Sequence, residues 1–295
     1  ARSNYADSPE AVAYQAYLIN PNSKTQGAPF ERYEANLPVK QRGSLGNDGA
    51  LSQWDISYGA AYKNKLYLGF GVHFSKLNVT STSYWEEQFV GANIVGGMAY
   101  QERLTTSGSG ISATLGMIYK MNNSLRVAFS LQTPTYFDQM NERMDGTLSP
   151  RVFGIPSFNA QGNPIVITKV GPVKLTPNEF SYQLSTPLKL SGGAAYLIGK
   201  KAIISLDLEY VNYPGMKVAS AELPPTDDLN FQTKYNGQTQ KNFQAGINIK
   251  AGTEIRLTPS FSLRGGVASF GNSYSSTFDS IDRTMFQFSG GIGYR

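Results

Sequence analysis

Residues with strong intrinsic chemistry are few in this sequence. It has one histidine, His73, and no cysteine. A single imidazole excludes multi-histidine metal motifs, and a chain without thiols forms neither disulfides nor thiolate metal sites. His73 falls on the polar side of an alternating segment, 65–77, amid many serines. Nucleophilic catalysis needs a hydroxyl beside the base and a third group that orients it. Serines occur throughout and no spacing singles one out, so His73 reads as a hydrogen-bonded wall residue. The expectation is a non-enzyme with no metal and no cofactor. Five cations, Arg126, Lys189, Lys250, Arg256 and Arg264, fall on the polar side of similar segments, as do Asp55, Asp207, Glu209 and Glu254. Arginine binds carboxylates bidentately, so these cations suit an acidic head group. They suit equally well ion pairs with the four acids that hold a wall together.

These groups must be positioned by strands. Of 295 residues, 40% are hydrophobic and only 16% charged, with 30 glycines, 18 tyrosines and 16 phenylalanines. No run approaches the 18 or so apolar residues of a spanning helix, which excludes a helical membrane bundle. The net charge of +5 is scattered, which gives nucleic-acid binding little support. Alternation is clearest from Asn242 to Leu257: Phe243, Ala245, Ile247, Ile249, Ala251, Ile255 and Leu257 on one face, Asn242, Gln244, Asn248, Lys250, Glu254 and Arg256 on the other. Sixteen such residues span about 50 Å, which suits a tilted membrane strand. The same pattern predicts strands near 50–61, 65–77, 104–119, 124–133, 180–198, 201–212, 261–270 and 284–295. Charges within them fall opposite the apolar face, as a lipid-facing exterior demands. A soluble sandwich would alternate similarly. It has no reason, however, to separate short connections (62–64, 120–123, 199–200, 258–260) from long ones (78–103, 134–179, 213–240, 271–283). The fold class expected is therefore all-β: a transmembrane antiparallel β-barrel.

Counting back from a periplasmic C-terminal strand leaves nine strands and places residues 1–49 outside the cell. Nine is odd, whereas bacterial single-chain barrels have even counts, and open edges in lipid leave backbone groups unsatisfied. The chain also begins ARSNYADSPE, without an initiator methionine or a signal-peptide pattern. The expectation is of an incomplete barrel, closed by an N-terminal fragment or a partner chain.

LSTPLKLSGGAAYLIGKKAIISLDLEYVNY (184–213) resembles the FadL/TodX-type outer-membrane transporters of hydrophobic compounds, in its threonine–proline step, short basic turn and D-x-E-Y end. NNSLRVAFSLQTPTYF (122–137), TEIRLTPSFSLRGGVASFG (253–271) and FSGGIGYR (288–295) read the same way. The resemblance implies a 14-stranded barrel, of which this chain holds the C-terminal nine strands without the N-terminal plug. It implies uptake of long-chain fatty acids or similar hydrophobic small molecules across the cell outer membrane of a Gram-negative bacterium. The alternative is a FadL-like barrel acting as a structural or cargo-binding subunit of a secretion or assembly complex.

The family's capture groove lies between two extracellular loops, which map to 1–49 and 78–103. Residues 8–19, SPEAVAYQAYLI, carry helix-start signals in Ser8, Pro9 and Glu10. The groove implied consists of Tyr14, Tyr17, Leu18, Trp85, Phe89, Ile94 and Met98, facing a hydrophobic small molecule or lipid. Its bland counterpart is a lid whose two loops merely pack together. Residues 50–295 are expected to be barrel, with long extracellular loops at 78–103, 134–179, 213–240 and 271–283.

Overall fold

The computed structural model describes residues 3–21, 29–32, 36–159, 161–220 and 222–294. Arg295 of the last expected strand, and parts of the 1–49 region, lie outside them. No helix among the described residues is long and apolar enough to cross a membrane. Strands make up most of the described residues. One sheet carries, among the described residues, nine successive runs: Val39–Tyr62, Leu66–Phe89, Val95–Lys120, Leu125–Gln132 continued by Tyr136–Val152, Val173–Ser185 continued by Lys189–Ile198, Ala202–Val211, Gly246–Arg256, Phe261–Phe270 and Met285–Tyr294. Each run pairs with its neighbours in sequence. Val39–Tyr62 and Met285–Tyr294 each pair on one side only among the described residues, and not with each other.

The chain folds as two compact bodies, one of residues 1–50, 77–107 and 141–180, the other of 51–76, 108–140 and 181–295. In the second body the register fixes which side chains share a face, because directly paired residues point the same way. One row reads Met117, Phe129, Gly192, Leu208, Ile249, Ser269, Phe286; the next residue along each strand gives Ile118, Ala128, Gly193, Asp207, Lys250, Ala268, Gln287. The first row exposes hydrocarbon at Met117, Phe129, Leu208, Ile249 and Phe286, with Leu208 at 49% and Phe286 at 64%. The second row holds the charges. Such a sheet is a transmembrane wall: its apolar side has no protein core to enter and is solvated by lipid instead.

Two runs are interrupted at the same level. Pro134 and Pro187 have no amide hydrogen to give the ladder, so pairing stops at 133–135 and 186–188. Threonines supply replacement bonds: Ala113 N donates to Thr133 Oγ1 at 2.9 Å, and Thr135 N to Thr186 Oγ1 at 2.8 Å. Thr186 N returns a bond to Thr135 O at 3.0 Å. The expected strand 180–198 is thus one run with a gap at Pro187.

Several segments expected as loops are ordered. Strand Leu66–Phe89 continues well past 77 and strand Val95–Lys120 starts well before 104, so little of 78–103 is loop. Segment 134–179 holds strand Tyr136–Val152, a hairpin of Ile155–Phe158 with Pro164–Ile167, and the start of Val173–Ser185. Segment 213–240 holds most of helix Pro225–Asn242. That helix shortens the expected strand 242–257 to Gly246–Arg256, because Asn242 is its last residue and Phe243 N still bonds Thr239 O at 3.0 Å. Its signals were present in the sequence: Pro225 at the first turn, Asp227 and Asp228 after it, and Lys241 in the last turn.

The connection 271–284 ties back to this helix. Ser275 and Thr277 hydroxyls both donate to Lys241 O, at 2.5 and 2.6 Å. Tyr274 stacks on Phe278 at 5.1 Å, and the Arg283 guanidinium lies 4.7 Å from the Tyr274 ring while forking onto Asp279.

Two outcomes are expected. Leu208→Arg, on the lipid side, should cost about 2–4 kcal/mol of folding free energy in bilayers, and Gln287→Arg, on the polar side, close to none; urea-driven refolding into vesicles measures both. Hydrogen bonding from Arg283 holds the Asp279 carboxyl below its usual range. A depressed carboxylate stabilises the loop above its unfolded value of about 3.9 and loses that effect as pH falls through the lower folded value. Carboxyl NMR titration should show Asp279 returning to the ordinary range in Arg283→Gln.

Candidate functional site

Within the first body, helix Pro9–Gln15 starts on Ser8, whose Oγ accepts from Ala11 N at 3.2 Å. It ends in a left-handed turn: Tyr17 has φ 62°, and Leu18 N reaches back to Ala13 O at 2.9 Å. A left-handed residue at this position is usually glycine, so the tyrosine is held there by its surroundings. The turn swings Leu18 into a cluster with Val12, Ala16, Phe89, Val95, Leu148, Ile155, Val173 and Leu175. Val12 and Ala16 are 0% exposed. Tyr17, Ile94 and Met98 pack around it.

Five of the seven expected groove residues therefore meet: Tyr17, Leu18, Phe89, Ile94 and Met98. Tyr14 and Trp85 stand outside the cluster. Tyr14 meets Phe30 edge-on at 5.6 Å. Trp85 is 42% exposed and lies over Gly43, where a Cβ would come within 2.9 Å of the indole. Its Nε1 donates to Glu87 at 3.4 Å, and Gln41 donates to the same carboxylate at 2.8 Å. The Arg32 guanidinium sits 5.2 Å over the Phe89 ring. Val12, Ala16, Val95, Ile155 and Val173 of the cluster are closed to solvent, whereas the Trp85 indole is open to it. Leu148, Ile155, Val173 and Leu175 were not expected there. Ile155 and Val173 could have been found only by reading segment 134–179 as ordered.

In the second body the polar face carries the five expected cations, and it treats them differently. Arg264 Nε pairs with Glu254 at 2.7 Å, and Lys250 approaches Glu209 at 3.9 Å. These pairs are half-exposed, so each contributes about 0–1 kcal/mol. Arg126, Lys189 and Arg256 have no carboxylate within 4.0 Å among the described residues. Between the charged rows runs a row of small residues, Ser205, Gly252, Gly266 and Ser289, in direct register. A Cβ on Gly266 would meet Ser289 Oγ at 2.8 Å. The result is an open trough of about 630 Å³ flanked by Asp207, Lys250, Glu254 and Arg264.

His73 spends both ring nitrogens on neighbouring strands: Nδ1 lies 2.5 Å from Asp55 Oδ1 and Nε2 lies 2.8 Å from Thr114 Oγ1. Gln53 Nε2 donates to the same Asp55 oxygen at 2.7 Å. This is a bracing network across three strands, of the kind expected for a wall residue.

No family model matches the chain, and no curated protein does. Among solved structures it is similar to a Pseudomonas aeruginosa FadL homologue, at 11% identity over 92% of this chain and 70% of that one, with a TM-score of 0.49. It is also similar to the CymD monoaromatic hydrocarbon channel, at 12% identity over 87% and 79% with a TM-score of 0.43. A third likeness is to the Pseudomonas putida toluene transporter TodX, at 11% identity over 85% and 77% with a TM-score of 0.39.

The placement of Trp85 can be checked by fluorescence. With Trp54→Phe as background, Gly43→Ala should move the indole and shift its emission. Gly46→Ala, where a Cβ meets nothing within 4 Å, should leave the spectrum unchanged.

Proposed function

We propose that this protein is an outer-membrane uptake channel of a Gram-negative bacterium, carrying long-chain fatty acids or similar hydrophobic small molecules, and that it is not an enzyme. The observation that carries the reading is the two-sided wall. Hydrocarbon lines one face across the strands, while the opposite face holds Asp207, Lys250, Glu254 and Arg264 around an open trough. A wall of that kind separates lipid from a polar passage. In the first body, the cluster residues Tyr17, Leu18, Phe89, Ile94 and Met98, together with Tyr14 and Trp85 outside it, offer apolar contact to a captured molecule. Arg126, Lys189 and Arg256, without protein carboxylates of their own among the described residues, suit an acidic head group. Two one-sided edges, Val39–Tyr62 and Met285–Tyr294, lie in the same wall. In hydrocarbon each unpaired backbone group costs several kcal/mol, so further strands from outside these residues, on this or another polypeptide, complete them.

One feature favours the alternative of a partner-binding subunit. Helix Pro225–Asn242 buries none of its residues and leaves Leu229 62% and Tyr235 41% exposed. A protein partner on that face would cover them.

Uptake in cells distinguishes these readings. Arg126→Ala with Lys189→Ala should raise the half-saturating concentration of oleate at least about fivefold, roughly the loss of one charge-assisted hydrogen bond, and leave toluene uptake unchanged. Trp85→Ser should slow uptake of both at normal surface abundance. Unaltered uptake in both variants would transfer the function to partner binding.

A further inference from the structure

The tight connections of the second body carry Lys63, Lys65, Lys200 and Lys201, and the ends of the strands they join carry Lys120, Arg126 and Arg256; spans 62–66, 119–126, 198–202 and 256–261 hold no aspartate or glutamate. These residues set the sign of the whole chain. Of its 26 lysines and arginines, those remaining are outnumbered by the 21 acidic residues. All but Lys120 are exposed. Among the described residues none has a carboxylate within 4.0 Å. Lys120 Nζ donates to Tyr67 Oη at 2.5 Å, and Lys63 lies 5.2 Å over the Tyr62 ring. Lys120 and Arg126 are directly paired across the ladder, where like charges repel. This rim is electrostatically uncompensated by the described protein.

What compensates it is indicated by its level in the membrane. Just inside the rim, the apolar face carries Tyr62, Tyr119, Tyr196 and Tyr294, at 62, 40, 52 and 85% exposure. Tyrosines on a lipid-facing surface mark the boundary between hydrocarbon and headgroups. Tyr62 immediately precedes Lys63, and Tyr119 immediately precedes Lys120. The cations thus sit one step beyond that boundary, level with lipid phosphates. A soluble anion or an acidic protein would need no such belt beside its site.

We propose that the tight-turn rim is a binding surface for anionic phospholipid headgroups, with Lys63, Lys65, Lys200 and Lys201, which lie in the turns themselves, as its contacts. The site goes beyond the uptake reading and does not depend on what the channel carries.

The test uses the purified full chain, delipidated and returned to nanodiscs of equal phosphatidylglycerol and phosphatidylcholine, with retained lipid counted by native mass spectrometry. Phosphatidylglycerol should be retained at least about tenfold over phosphatidylcholine at about 50 mM salt, with the preference weakening by about 300 mM. The variant Lys63→Gln/Lys65→Gln/Lys200→Gln/Lys201→Gln changes only exposed turn residues and should lose most of that preference, with circular dichroism unchanged. Lys63→Gln/Lys200→Gln, one substitution in each of two turns, serves as a milder second variant should the first fail to fold. Lys234→Gln/Lys241→Gln, on helix Pro225–Asn242, should leave the preference intact. Equal retention of both lipids by the wild type, or an equal loss in the helix variant, overturns the proposal. Displacement of phosphatidylglycerol by about 10 mM inorganic phosphate, against only partial screening by chloride of equal ionic strength, would assign the rim to a free anion instead.

Discussion

A backbone amide in hydrocarbon has nowhere to donate except to another strand, and the rest of the molecule follows from that constraint. Each run of the wall is hydrogen-bonded to its neighbours in sequence, so side chains are left with only two directions, towards lipid or away from it. Phe129, Leu208, Ile249 and Phe286 take the first, and Asp207, Lys250 and Gln287 the second. The charge distribution, the trough and the bracing around His73 are consequences of that partition. Glu254 can meet Arg264 because the register sets them directly opposite.

That partition is also why the wall was legible in the sequence. Lipid punishes a misplaced charge at every second position, so Ile204, Leu206, Leu208 and Tyr210 alternate strictly with Ser205, Asp207 and Glu209. Where no such partition acts, alternation ends while the ladder persists. Val79 to Phe89 is a paired strand with polar residues on both sides, and periodicity had nothing to report there. Phe243 shows the opposite error. It continues the alternation of Ile247 and Ile249, yet it sits at the end of a helix that the prolines and aspartates at 224–228 had announced.

The candidate capture site was half legible. Leu18 and Phe89 could be named because apolar residues on exposed segments need partners. What their partners would be was not visible, since Ile155, Val173 and Leu175 come from segments distant in sequence. The left-handed turn at Tyr17 was also hidden, because only tertiary packing holds a tyrosine in a conformation that glycine adopts freely. Trp85 illustrates a separate limit. Its type marked it as a binding residue, but its position over Gly43 depends on the neighbouring strand having no side chain there.

The paired interruptions at Pro134 and Pro187 have a mechanical consequence. A continuous ladder resists bending because every amide along it would have to stretch its bond. Where two adjoining runs lose their ladder donors at one level, and hydroxyl groups of Thr133 and Thr186 substitute, that resistance drops along a line crossing both strands. A hydroxyl oxygen accepts over a broad range of directions, so these bonds tolerate changes of angle that a regular ladder of amide bonds does not. The sheet thus contains a crease. Tension applied at one end of these runs is absorbed there as rotation before it is passed on as strain, and the stiff strands on either side can differ in curvature without breaking their own pairing.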